Sequence, residues 1–317
     1  MIPLPFQLIM AVLLDALFGD PRWFPHPVRL IGFLAQQIES GSRYLFPAKA
    51  AGILTVFGVL GVTGYLLHLL LQLGLLLHPL LHDALGIFVI YTSLAARDLA
   101  GHSTAVYRAL KEEDLPAARR QVGMIVGRDP EKLDRPGIAR AAVESVAESM
   151  VDGVTAPLFF AVLAGPYGAL LYKAVNTMDS MFGYRNERYG EFGWAAARLD
   201  DAANFIPARL TGLLVPVAAL VCGYDSRNSR KIFRRDRLKH ASPNSGHSEA
   251  AVAGALGIRL GGPAVYFKNV VDKPFIGDPL NPIEPGHILQ ANRLMFLTSF
   301  LFLLTVLPLS FLILLLP

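Results

Sequence analysis

The sequence has almost no sulfur to work with: one cysteine, Cys222, in 317 residues, and it lies inside an apolar block. A lone thiol excludes a disulfide framework within the chain and a cysteine-built zinc site. Charge is also scarce. Asp, Glu, Lys and Arg make up 17% of the residues, against roughly 25% in soluble proteins. Nucleotide signatures are missing as well. No G-x-x-x-x-G-K-[ST] occurs and no G-x-G-x-x-G opens a helix, so an ATP site here has to be non-standard. No basic stretch precedes the first apolar run, which Asp15 interrupts, so a cleaved signal peptide is not expected.

What is abundant is apolar sequence. Hydrophobic residues reach 53%, mean hydropathy is +0.43, and the apolar residues fall in blocks near 2–19, 51–77, 79–96, 154–175, 205–224 and 294–317. The expectation is an all-α, polytopic integral membrane protein with four to six apolar segments and large helical loops, read as one membrane-embedded catalytic domain over 1–317. A break is expected at His78-Pro79, and an amphipathic helix over 30–44. His68, His78 and His82 lie near segment edges without carboxylates at ligand spacing, and read as interfacial or core histidines.

The net charge of +4 reflects 29 Lys and Arg. In a membrane protein such an excess orients loops toward the cytoplasm and does not call for nucleic acid. If all six blocks cross, loops 20–50, 97–150 and 225–293 share one face and collect 24 of those 29 cations. Loop 176–204, rich in polar motifs, would then lie alone on the other face. Gly165-Pro-Tyr-Gly168 breaks block 154–175, which is either one kinked span or a re-entrant hairpin of two halves of ~11 residues, each about half a bilayer. A re-entrant 154–175 and an incompletely spanning 205–224, broken by Pro207, Arg209 and Pro216, place every polar motif on the cytoplasmic side.

The stretch with the most chemistry is 138–153. Read as a helix, it sets Arg140, Glu144, Glu148 and Asp152 at successive i+4 steps on one broad face. Two Glu residues four apart repel, so the stripe is either a solvated face or a site for a cation or cationic substrate group. Further along, Asn176 and Asp179 are helical neighbours at i+3, and Asp200 and Asn204 at i+4. Residues 239–251 run from Lys239-His240 through a Ser/Pro/Asn/Gly loop into an Ala-rich helix, with Ser248 as the expected N-cap; such a helix start favours an anion.

These motifs, taken in order, resemble a known family. Gly19-Asp-Pro-Arg-Trp-Phe-Pro-His-Pro-Val-Arg-Leu-Ile-Gly32, Ala142-Val-Glu-Ser-Val-Ala-Glu148 with Asp152-Gly153, Ala174-Val-Asn-Thr-Met-Asp179 with Tyr184-Arg-Asn-Glu-Arg-Tyr189, and Ser242-Pro-Asn-Ser-Gly246 with Glu249 are similar to the membrane-bound CobD/CbiB proteins of cobalamin biosynthesis, the adenosylcobinamide-phosphate synthases. The likeness runs from Asp15 to Asp278; Ser149, Ala241 and His247-Ser248 depart from the family pattern.

The resemblance implies an ATP-dependent acid–amine ligase that joins aminopropanol or its phosphate to the free carboxylate of adenosylcobyric acid. On that basis Glu144, Glu148, Asp152 and Asp179 are the expected catalytic residues, and with Asp201 the expected Mg²⁺ ligands. Arg185, Lys239, Ser242, Asn244 and Glu249 are the candidates for phosphate. Asp20, Arg22, His26 and Arg29 are candidates for a second phosphate or the corrinoid's amide fringe. Asn176, Tyr184 and Asn186 complete the expected substrate contacts. ATP and Mg²⁺ are the implied cofactors, and the corrinoid is a substrate. The other expected partners are the lipid bilayer, further membrane-bound cobalamin-assembly enzymes and a second copy of the chain. The rival readings are a membrane CDP-alcohol phosphotransferase, whose D-G-x-x-A-R spacing is absent after Asp152-Gly153, and a non-enzymatic transporter or accessory subunit.

Overall fold

The computed structural model describes residues 1–20, 26–184, 186–266 and 269–314, without the side chains of 264–271 and 313–314. The protein is helical, with four very short strands among the described residues. In chain order the helices are α1 (Leu4–Phe18), α2 (Pro27–Leu45), α3 (Ala48–Leu77), α4 (Pro79–Tyr91), α5 (Ala96–Lys111), α6 (Leu115–Gly123) and α7 (Arg135–Met150). A π-helical turn over Val151–Thr155 leads into α8 (Ala156–Phe182), α9 (Trp194–Ala203), α10 (Phe205–Val221), α11 (Ser226–Asp236) and α12 (Ser245–Leu256). Strands β1 (Leu260–Gly261), β2 (Ala264–Tyr266), β3 (Asn269–Val271) and β4 (Phe275–Ile276) precede α13 (Gly286–Leu314); β1 pairs antiparallel with β4, and β2 with β3.

Among the described residues, four stretches are long and apolar enough to cross a membrane: Ala48–Leu77, Pro79–Lys111, Arg135–Phe182 and Gly286–Leu312, with Trp194–Ala203 and Phe205–Val221 together a fifth candidate. This is a polytopic α-helical membrane protein. The chain forms two compact units, each assembled from separate stretches. The first comprises 1–95, 156–204 and 306–317; the second comprises 96–155 and 205–305.

In the first unit, small residues let helices approach closely, as bilayer packing requires. Ala35 of α2, Ala51 of α3, Ala174 of α8 and Ala196 of α9 are buried beside Leu67, Leu71, Met178 and Phe182. The expected break falls where Pro79 takes the first helical position of α4 and His78 Nδ1 accepts the Leu80 N–H. Helix α1 has 15 residues, about 22 Å at 1.5 Å per residue and shorter than a full span.

Segment 154–175 folds back on itself. Gly165 has φ +58° and Pro166 follows, so the helix stops there. A Cβ added at Gly168 would lie 1.9 Å from the Phe160 carbonyl oxygen. The Phe160 and Tyr172 rings stack at 5.2 Å, although in one straight helix these residues would stand about 18 Å apart along the axis. Arg135–Phe182 is therefore not one straight rod, despite its apolar length. Its second part is a hairpin of two half-helices, the shape expected of a re-entrant segment.

The second unit gathers α5, α6, α7, α10, α11, α12 and the strands. Helix α12 is buried along its whole length because Ala and Gly dominate it. It lies against α11, where Ser229 Oγ donates to the Ala251 carbonyl at 2.7 Å and Asn228 Nδ2 to the Gly254 carbonyl at 2.8 Å. Helix α10 has 17 residues, short of the ~20 of a full span. Ser248 lies inside α12, donating to the Ser245 carbonyl at 3.2 Å, and does not cap it. Ser242 Oγ instead accepts the N–H of Asn244 at 3.2 Å and of Ser245 at 3.3 Å. The helix has Asn244 as its N-cap, four residues before the one the Ala-rich pattern suggests, and the Ser242-Pro243 pair starts the turn that leads into it.

Candidate active site

Helix α7 starts cleanly because Asp134 Oδ1 accepts the Gly137 N–H at 2.8 Å and Pro136 sits in the first turn. Its acidic stripe is not a solvated face. Glu144 is buried and Glu148 half-buried, and both line a cavity of about 210 Å³ within the second unit. Around that cavity stand Glu144, Ser145, Glu148 and Ser149 from α7, Arg128 from the turn before it, and His240 from the loop before α12. Glu249 of α12 and Asp272-Lys273 from the strand region close it.

Each carboxylate is held differently. Glu144 is ion-paired with Arg128 and accepts the Gly261 N–H at 2.7 Å. Glu148 Oε1 accepts the Ser245 hydroxyl at 3.0 Å. Glu249 is buried, with His240 Nε2 at 3.8 Å. Burial pushes the Glu249 carboxyl well above the usual carboxylate range, and the charges of Glu148 and Glu144 push it further the same way. Burial lowers the His240 imidazole, so it stays neutral near pH 7. The His240 Nδ1 accepts the Ser242 N–H at 3.0 Å, which puts the proton of the neutral ring on Nε2, facing Glu249. The cavity thus offers carboxylates, with the charged form of Glu249 disfavoured by burial, beside a guanidinium and an ammonium. Such a set can hold a cationic amine and steady an anion in one space.

The remaining expected residues take other places. Asp152 is half-buried in the π-helical turn directly after α7, a form often found at functional sites. Lys239 is ion-paired with the buried Asp236 at 2.7 Å, and it is not among the residues lining the cavity. Asn244 Oδ1 accepts from Arg209 at 3.3 Å.

In the first unit, Asp20 and His26 approach to 3.3 Å, and Arg29 is exposed in the first turn of α2. Asn176 reaches Asp200 at 3.5 Å. Asp200 in turn accepts from Asn204 at 2.9 Å, and the Tyr172 hydroxyl donates to Asn204 at 2.9 Å. Asp179 is half-buried near the end of α8, and Tyr184 is exposed beyond it. Asn186 Oδ1 accepts the Tyr189 N–H at 2.9 Å, and Asp201 pairs with Arg198 at 3.7 Å. Arg22 and Arg185 lie outside the described residues. Of the five expected Mg²⁺ ligands, Glu144, Glu148 and Asp152 belong to the second unit and Asp179 and Asp201 to the first. Among the described residues no group of three or more His, Cys, Asp or Glu side chains is placed to hold a metal ion.

Sequence reasoning passed over Arg128, Asp272 and Lys273. Gly127-Arg-Asp-Pro130 looks like turn chemistry alone, and nothing local signals that the strand region returns to α7.

The comparison with known proteins decides the family. Residues 8–295 match the CobD/Cbib proteins. The chain belongs to the CobD/Cbib family. It is 48% identical over 314 residues to the cobalamin biosynthesis protein CobD of Desulfotalea psychrophila, covering 93% of this chain and 94% of that one. It is 50% identical over 289 residues to the CobD of Geobacter metallireducens, covering 91% of each. The CobD of Leptospira interrogans is 46% identical over 299 residues, 94% of this chain and 95% of its own. No solved structure matches the chain. A CobD/Cbib protein acts in cobalamin biosynthesis, and the α7 stripe, the 19–32 sequence motif and the 242–249 loop all lie within the matched residues.

Proposed function

We propose that this CobD/Cbib protein is an ATP-dependent acid–amine ligase, joining aminopropanol or its phosphate to the free carboxylate of adenosylcobyric acid. The observation that carries the reading is the cavity in which Glu144, Glu148 and Glu249 face Arg128 and Lys273. Amide synthesis from a carboxylate needs both signs of charge together. The carboxylate takes the γ-phosphoryl group of ATP, forming an acyl phosphate and releasing ADP. The neutral amine then attacks the acyl carbon, phosphate leaves, and the amine gives up a proton.

In this reading Arg128 and Lys273 steady the transferred phosphoryl oxygens, where a bidentate guanidinium is the stronger partner. Glu148, held through one oxygen by Ser245, orients the ammonium and receives its proton. Mg²⁺ is commonly bound by one or two carboxylates plus substrate phosphates, and that suits a cavity with no three-ligand group better than an all-protein cage does. Asp272, which also lines the cavity, is the carboxylate that would take it, since Glu144 is committed to Arg128 and Gly261 and Glu148 to the amine. The metal would neutralise charge on the bound phosphates.

The cavity faces the cytoplasm in this reading, because with 154–175 re-entrant and 205–224 not fully spanning, loops 20–50, 97–150, 176–204 and 225–293, bearing 27 of the 29 Lys and Arg, would gather there. Cysteine labelling at Asp152 and Asp201 tests the orientation; modification of either only from the outside contradicts it. For the chemistry, purified protein is incubated with adenosylcobyric acid, ATP, Mg²⁺ and each amine. ATP-dependent amide product supports the ligase. ATP hydrolysis or corrinoid binding without amide formation contradicts it.

A further inference from the structure

We propose that Arg209, Arg237 and the first turn of α12 form a binding subsite for a phosphate group. Three helices converge there. Arg209 lies on α10, and one turn further on α10 presses against α11 and α12. A Cβ on Gly212 would stand 2.5 Å from the Phe233 ring and 3.0 Å from the His247 carbonyl oxygen. Arg237 follows α11, with its guanidinium 5.6 Å from the centre of the Phe233 ring. The same ring lies 5.8 Å from that of His247.

The cations at this convergence lack an anion. Within the described residues neither Arg209 nor Arg237 has a carboxylate within ion-pair distance, whereas Arg235 and Lys239 nearby are both neutralised by Asp236. Arg209 spends one nitrogen on two neutral acceptors, the Phe205 carbonyl at 2.7 Å and Asn244 Oδ1 at 3.3 Å. The Arg237 Nε is buried with no hydrogen-bond partner. His247, in the first turn of α12, is fully buried, and neither ring nitrogen has a partner. Burial and then the charges of Arg209 and Arg237 press its imidazole down to about 4, so the ring is neutral and its N–H is unspent. Two guanidinium groups, an unspent donor and the positive end of a 12-residue helix are the set that recognises phosphate.

The subsite adjoins the carboxylate cavity. Asn244, held by Arg209, is followed by Ser245, held to Glu148, and consecutive Cα atoms stand about 3.8 Å apart. A small molecule with an ammonium at one end and a phosphate ester at the other has the length to reach both. That assignment of the ligand rests on the ligase reading; the phosphate subsite itself does not.

The test measures binding without turnover. Full-length protein in neutral detergent is melted with inorganic phosphate, with the phosphorylated amino alcohol and with the free amino alcohol, corrinoid and ATP being absent. Wild type is expected to be stabilised by the two phosphate-bearing probes, with Arg209→Gln and Arg237→Gln each weakening binding at least tenfold. Arg209→Lys and Arg237→Lys should recover part of it, and Arg234→Gln, at an exposed cation on α11, should leave it unchanged. Melts without ligand show which variants are folded. A second arm reconstitutes the protein in vesicles of neutral or anionic phospholipid; arginine-dependent affinity for anionic lipid alone supports the subsite and assigns it a headgroup phosphate. Unaltered phosphate affinity in both the glutamine and lysine variants overturns the proposal. Because no amide is formed in these experiments, a failed ligase assay leaves their outcome unaffected.

Discussion

Removing Arg128 should destabilise the second unit more than a typical substitution does. Arg128 and Glu144 are 12% and 9% exposed, so their pair is largely shielded from water. Arg128→Met fills a similar volume but leaves Glu144 buried, with only the Gly261 N–H to hold its charge. Breaking a buried pair from one side costs about 3–5 kcal/mol. In a unit of this size that lowers the melting temperature by about 6–20 °C. Adding Glu144→Gln takes away the uncompensated charge while its amide oxygen still accepts the Gly261 N–H, so the double variant should regain at least half of the loss. Thermal melts in detergent followed by circular dichroism, without substrates, measure both. Should Arg128→Met melt with wild type, or should Glu144→Gln lower its stability further, the buried-pair argument is wrong.

Other consequences are equally direct. Glu148→Gln should abolish amide formation while the protein stays folded, checked by product assay and melt together. Gly168→Leu drives a side chain into the Phe160 carbonyl and should cost at least about 1–3 kcal/mol, read as lower thermal stability of the purified protein. Burial alone would raise the Asp236 carboxyl, but hydrogen bonds from Arg235, Lys239 and the Gly277 N–H outweigh it and hold Asp236 below the usual range. Its contribution is therefore present above the unfolded value of about 3.9 and is lost as pH falls below it. Asp236→Asn should melt lower than wild type at pH 7, and the difference should shrink as the buffer is taken below pH 4.

Much of this arrangement is legible before any coordinates. The His78-Pro79 break follows from the backbone chemistry of proline, and the hairpin from the placement of Gly165, Pro166 and Gly168. The i+4 spacing of Glu144 and Glu148 is real, and both carboxylates face the cavity. What sequence patterns hide is which distant groups answer them. Arg128 and Lys273 arrive from loops whose local residues spell only turns, since their role arises from contacts far apart in the chain. Lys239 shows the converse: as a cation beside a Ser/Pro/Asn loop it looks free for phosphate, yet Asp236, three residues before it, takes its charge. Ser248 resembles an N-cap because an Ala-rich run follows it, but the helix starts earlier, at Ser245, after a turn held by Ser242. The division into two units is invisible for the same reason, each unit drawing on stretches separated by dozens of residues.

The central claim is that the α7 cavity forms an amide bond at the expense of ATP. The most direct measurement is a side-by-side assay of wild type and Glu148→Gln with adenosylcobyric acid, ATP, Mg²⁺ and aminopropanol phosphate. Amide product is followed by mass spectrometry, and fold by thermal melt. The expected result is ATP-dependent product from wild type and none from the folded variant. Equal product from both, or none from wild type under conditions where the corrinoid binds, would contradict it.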